Sequence, residues 1–219
     1  MRFQVETAEH LELVVDDIVA VNFFLHDFWG NGGWATGDAA RLLHESRLDR
    51  QVELSRTLKI WLEASYAGMR EGRLILAWVN LGALVEGTMK WFLCVFAHDY
   101  AKNPQTDRNG TPIEPDDVWF AKLCGYFSQE VWADPQKQKF NAWCHTIRKR
   151  RNAIHAYTDN DVGNWNEWRQ AVVTYREFLV DLGFQVPYLD EQFVMPYSIR
   201  QVIERVTAHS QQSISGEEY

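Results

Sequence analysis

The chain has 219 residues, 46% of them hydrophobic and 24% charged, which suits one globular domain and excludes wholesale disorder. Its formal net charge of -8 excludes a protein that coats nucleic acid with its whole surface, and leaves room for a local cationic site. Ten tryptophans serve either a large aromatic core or an aromatic interface, and their helical spacing from other apolar residues favours the core.

Leu11, Val14, Ile18, Val21, Leu25 and Phe28 step by three and four, which predicts an amphipathic helix ending at a glycine-rich turn over 29–33. A shorter helix is expected over 38–46 and another over 48–68, with Leu54, Leu58, Trp61 and Leu62 on its buried side. A central helix is predicted over 73–102. Leu74, Trp78, Leu81, Val85, Met89, Phe92 and Phe96 form its stripe, and its second side is also apolar, so neighbours should enclose it. Extended to Ala97, the apolar run from Leu74 approaches the length of a bilayer span, but Glu86, Lys90 and two glycines interrupt it, so it reads as a buried helix.

The polar loop 103–115 holds three prolines and one glycine and is expected to be an exposed or mobile insertion. Pro115 suits the first turn of a helix reaching about 129, and Asp134-Pro135 the start of one reaching about 157. Asn164 with Glu167 resembles a capping box, opening a helix that stops at Gly183. A last helix over 198–208 and a frayed tail complete an all-α bundle of about six to eight helices. Cys94, Cys124 and Cys144 form no CxxC pair and read as free thiols; with no secretory signal at the N-terminus, they suggest a cytoplasmic protein.

The most informative stretch is Arg148-Lys149-Arg150-Arg151-Asn152-Ala153-Ile154-His155-Ala156-Tyr157. It sets four cations beside an imidazole that titrates near neutrality, chemistry that suits a phosphodiester. On a regular helix at about 100° per residue, Phe140, Trp143, Ile147 and Ile154 share the buried stripe. Arg148, Arg151 and His155 share one flank, and Asn152 lies beyond them. Arg150 points with Ile154 toward the core or a second subunit, where it requires a carboxylate. Tyr157 should project near Arg150. The bland alternative is a solvated helix end whose cations complement the helix dipole. Glu86, a carboxylate in an apolar helix, is a partner for Arg150, Arg151 or His155, one half of a structural ion pair elsewhere, or partly exposed. His98-Asp99 lacks a second ligand pair, so no metal is expected.

Arg150 to His155 resembles the signature of the HEPN superfamily of helical domains: an Arg, four to six intervening residues, then His, often with an Asn after the Arg. Arg150 and His155 have the four-residue spacing. Asn152 follows Arg151 instead of Arg150, so both arginines stay candidates. His155-Ala156-Tyr157 matches the extended form of HepT-type toxins, in which a partner nucleotidyltransferase can modify the Tyr. The resemblance covers about 73–182, leaving a helical extension over 1–72 and a C-terminal helix and tail over 183–219. It implies a metal-independent endoribonuclease without cofactor, active as a homodimer through the motif helix, in a toxin–antitoxin or antiphage setting with an antitoxin partner. His155 would be the acid–base group, Arg150 or Arg151 the phosphate ligand, and Asn152 an orienting group, with Glu86, Tyr157 and Arg148 supporting. A non-catalytic scaffold that binds RNA or protein is the other expectation.

Overall fold

The computed structural model describes residues 8–30, 35–63, 68–132, 138–155, 157, 160–188 and 194–215, and for 8, 9, 138, 139 and 209–215 the backbone alone. The turn at 31–33, the helix start at 134–135, Ala156 and the tail from 216 lie outside them. The described residues form an all-α bundle with no strand. Its helices are α1 (Ala8–Trp29), α2 (Gly37–Glu45), α3 (Leu48–Arg56), α4 (Arg70–Val95), α5 (Ala97–Tyr100), α6 (Phe120–Tyr126), α7 (Gln138–Arg151), α8 (Trp165–Gln185) and α9 (Tyr197–Ser215).

The centre is α4, which packs against α2, α3, α6, α7 and α8. Leu74, Ala77, Trp78, Leu81, Leu84, Val85, Met89 and Phe92 are all buried along it, so both of its apolar sides are covered, as expected. Burying each large aliphatic side chain stabilises the fold by roughly 1.5–3 kcal/mol, which outweighs the modest helix propensity of its aromatic and β-branched members. The second layer is α1, which packs on α3, α8 and α9. One hydrophobic cluster runs from Leu11 to Val206, so the segments before 73 and after 182 share the core of the middle of the chain. Trp29, Trp78, Trp91, Trp132 and Trp168 lie inside, in keeping with an aromatic core. Among the described residues no helix is long and apolar enough to cross a membrane.

Several boundaries differ from the periodicity. The helix expected over 73–102 breaks at Phe96, whose φ of -95° and ψ of 31° turn the chain into α5. The one expected over 48–68 ends as α3 and tightens into a 3₁₀ segment, Thr57–Trp61. The hydroxyl of Thr57 donates to the carbonyl of Leu54 at 2.7 Å and to Oδ1 of buried Asn80 at 2.9 Å, while Trp61 Nε1 donates to the same oxygen at 2.8 Å. These tertiary bonds override the local pattern. Pro115 opens no helix; a turn follows it and α6 begins at Phe120, continuing into a π-helical turn, Phe127–Val131. The loop 103–115 is exposed but built: Asp107 Oδ1 accepts from the backbone N–H of Asn109 at 2.8 Å and of Thr111 at 2.9 Å. α8 runs past Gly183 to Gln185, and α9 starts at Tyr197 and reaches Ser215.

Candidate functional site

The cationic stretch closes α7. The α-helix stops at Arg151, and Asn152–Ile154 tighten into a 3₁₀ turn in which the His155 N–H donates to the Asn152 carbonyl at 3.1 Å. This changes the angular phase assumed by a straight helix. Phe140 and Ile147 are buried, but Ile154 is 45% exposed and does not continue their stripe. His155 and Asn152 are exposed, and Tyr157 stands fully in solvent. The common flank drawn for Arg148, Arg151 and His155 on a straight helix therefore stops at Arg151.

The arginines take separate environments. Arg150 lies inward, its side chain 12% exposed, as its phase required. Its guanidinium sits 4.7 Å from the centroid of the Trp78 ring, and its Nη2 donates to Glu167 Oε2 at 2.8 Å. The same Glu167 oxygen accepts from the Asn164 backbone N–H at 3.0 Å, while Asn164 Oδ1 accepts from the N–H groups of Asn166 and Glu167. The capping box read from the sequence is thus present, and its glutamate also anchors Arg150. Gly163 has φ +62°, and a Cβ there would lie 2.6 Å from the Arg150 guanidinium carbon, so glycine is needed for both the turn and the cation beside it.

Arg151 turns toward α4 and α6. Its Nη1 meets Glu86 Oε2 at 2.5 Å, and its guanidinium carbon lies 5.8 Å from the centroid of the Phe120 ring. Glu86 also lies 3.8 Å from Lys90 Nζ. So Glu86 is a partner of Arg151, one of the roles its sequence position allowed. Gly82 brings the helices together, since a Cβ there would fall 2.8 Å from Arg151 Cδ.

Arg148 is the exception. Its Nε is buried without a hydrogen-bond partner, and among the described residues no carboxylate pairs with it. Burial pushes the Cys124 thiol of α6 up to about 11, and the positive charge of Arg148 opposes that rise. Lys149 is exposed. Among the described residues Arg148 and Lys149 therefore have no carboxylate partner and lie next to exposed Asn152 and His155, while Arg150 and Arg151 are already neutralised.

Sequence reasoning missed Glu167 as the partner of Arg150, and Gly82 as the seat of Arg151. Glu167 had a visible role at its helix cap, and Gly82 read as an interruption of an apolar run. Among the described residues no group of three or more His, Cys, Asp or Glu is placed to hold a metal. Two cavities, of about 320 and 450 Å³, open elsewhere: one between Phe92, Phe96, Tyr100 and Tyr126, the other beside Trp29, Gly37 and His98. None of the motif residues lines either cavity.

No family model, curated protein or solved structure matches the chain.

Proposed function

We propose that the chain is a metal-independent endoribonuclease of HEPN type, acting as a homodimer through the motif helix end. The observation that carries the reading is His155, an exposed imidazole at the end of a helix whose last turn is Arg148-Lys149-Arg150-Arg151. In this reading His155 accepts the proton of a ribose 2′-OH. The 2′ oxygen then attacks phosphorus, the bond to the 5′ oxygen breaks, and that oxygen takes up a proton from His155 of a second copy. The products are a 2′,3′-cyclic phosphate and a 5′-OH. Arg148 supplies charge to the pentavalent phosphate, Arg150 and Arg151 hold the frame around it, and Asn152 orients the substrate. The 2′-OH requirement restricts the enzyme to RNA. Tyr157, fully exposed, is accessible to a modifying nucleotidyltransferase or an antitoxin, which suits a cytoplasmic toxin–antitoxin or antiphage role.

A second reading, a non-catalytic scaffold that binds RNA or protein, draws on the ion pairs of Arg150 with Glu167 and Arg151 with Glu86, since paired cations have less to offer a phosphate. The test is cleavage of a mixed RNA pool, with EDTA present, by the wild type and His155→Ala. Cleavage by the wild type alone, leaving cyclic phosphate ends, is expected. Equal cleavage by both sinks the mechanism, and RNA binding without cleavage leaves the scaffold. A monomer by light scattering at micromolar concentration removes the composite site.

A further inference from the structure

Beside the motif lies an aromatic and cationic patch on another element. Trp119 immediately precedes α6 and is 45% exposed, while the adjacent Phe120 is buried. The two side chains leave the backbone on different sides. Phe120 turns inward and carries the Arg151 guanidinium 5.8 Å from its ring centroid. Trp119 turns outward, and Lys122 Nζ lies 4.9 Å from the centroid of its ring. Among the described residues it is the one tryptophan classed as exposed, in a chain that buries large aromatics efficiently.

We infer that the face of Trp119 opposite Lys122 is a stacking platform for an unpaired base of single-stranded RNA, with Lys122 on the other face to meet a backbone phosphate, next to the Arg148–His155 surface. This rests on the RNA reading proposed above and names how that site takes its substrate. The uncovered face of an exposed indole can stack with any base, and a lysine over the other face adds charge without base preference. Adjacency comes from the packing of α6 on α7: Phe120 meets Arg151 at one end of α6, and one turn along the charge of Arg148 acts on the Cys124 thiol. Lys122 on α6 and Arg148 on α7 are thus cations that no carboxylate pairs among the described residues. Of the acidic groups just upstream, Glu114 and Asp116 lie toward Arg41 and Cys94, while Asp117 is exposed. Glu114 pairs with Arg41 at 2.6 Å, and Asp116 and Glu114 act on Cys94 near the C-terminal end of α4. Arg151 instead meets that helix at Gly82 and Glu86. The charges of Glu114 and Asp116 therefore lie toward the end of α4 away from the motif, and Glu86 on the motif side is paired with Arg151.

The test is fluorescence anisotropy with two short labelled oligomers, a 2′-O-methyl oligouridylate, which cannot be cut through its 2′ oxygen, and its abasic counterpart. Trp119→Ala is expected to weaken binding of the base-bearing oligomer by roughly five- to a hundredfold, with Trp119→Phe retaining most of the affinity. Binding of the abasic oligomer should be the same for wild type and Trp119→Ala. Equal binding of the base-bearing oligomer by both proteins overturns the platform, as does an equal loss on the abasic one. If Trp119→Ala converts a dimer to a monomer by light scattering, Trp119 is a protein contact and the platform is overturned. A wild type that binds neither oligomer overturns the RNA reading itself, and the two failures are thereby distinct.

Discussion

Arg151 and Glu86 meet at 2.5 Å between α7 and α4, directly over a glycine. Gly82 admits the aliphatic part of the arginine, and Glu86, one turn on, receives its guanidinium. Gly82→Ala would put a Cβ 2.8–3.0 Å from Arg151 Cδ, Cβ and Cγ, and Cβ is fixed to the backbone, so the helices must separate. The expected cost is about 1–3 kcal/mol. Glu86→Gln keeps the shape and removes the charge from a pair whose side chains are 15% and 33% exposed, for a loss of about 1–3 kcal/mol. Urea unfolding of the single variants and of Glu86→Gln with Arg151→Gln should show strong non-additivity; additive losses would mean that the pair is not coupled.

The helical core was legible because burial imposes a three-and-four spacing on the sequence. Leu11 to Phe28 and Leu74 to Phe92 are buried where that spacing puts them. Helix ends were less legible, since they depend on partners distant in the chain. α3 gives way where Thr57 and Trp61 reach Asn80, and Phe96 breaks the central helix although the apolar pattern runs through it. The same limit applies to the motif. Inward pointing of Arg150 and its need for a carboxylate followed from helical phase, but the identity of Glu167 required the α7–α8 packing. Ile154 leaves the stripe because the chain tightens after Arg151, a backbone change that no side-chain spacing encodes.

Asp17 holds the C-terminal helix. It is 2% exposed and accepts from Arg176 Nη1 at 3.2 Å and Arg205 Nε at 3.2 Å, with Arg205 Nη2 on its other oxygen. Arg176 is equally buried, so Asp17→Asn strands a cation in the core between α1 and α8. A loss of about 3–5 kcal/mol is expected. Arg205→Gln, at a side chain 37% exposed, should cost about 1 kcal/mol or less. Chemical denaturation of the two variants checks the ranking, and equal losses would refute it.

The thiols set an alkaline limit. Burial pushes Cys94 up to about 12 and Cys124 up to about 11, and raises Cys144 well above the ordinary range. A group whose pKa is higher folded than unfolded contributes stability that is fully present below the unfolded value, about 8.5 for a thiol, and lost as pH rises through the folded one. Stability should therefore fall between about pH 8.5 and 12 through these groups. Cys124→Ala should flatten part of that fall. At pH 8 a disulfide reagent should label none of Cys94, Cys124 and Cys144 in the folded protein and all of them in denaturant; rapid labelling of the folded protein would contradict the burial.

Glu167 joins two tasks that a conservative change can separate. Its carboxylate completes the cap of α8 and neutralises Arg150. Glu167→Gln keeps an oxygen for the Asn164 N–H and removes the charge opposite Arg150. The helix should persist with a stability loss of about 1 kcal/mol, read by circular dichroism and urea unfolding. Under the RNA reading, a released Arg150 becomes available to phosphate. Binding to single-stranded RNA should then tighten at low salt, and the slope of log K against log salt should steepen by about 0.7 for one added phosphate contact. Glu167→Ala removes both the cap and the charge, and should lose more stability while showing the same steeper slope. An unchanged slope in both variants would mean that Arg150 stays on Trp78 as a structural cation and never reaches the nucleic acid.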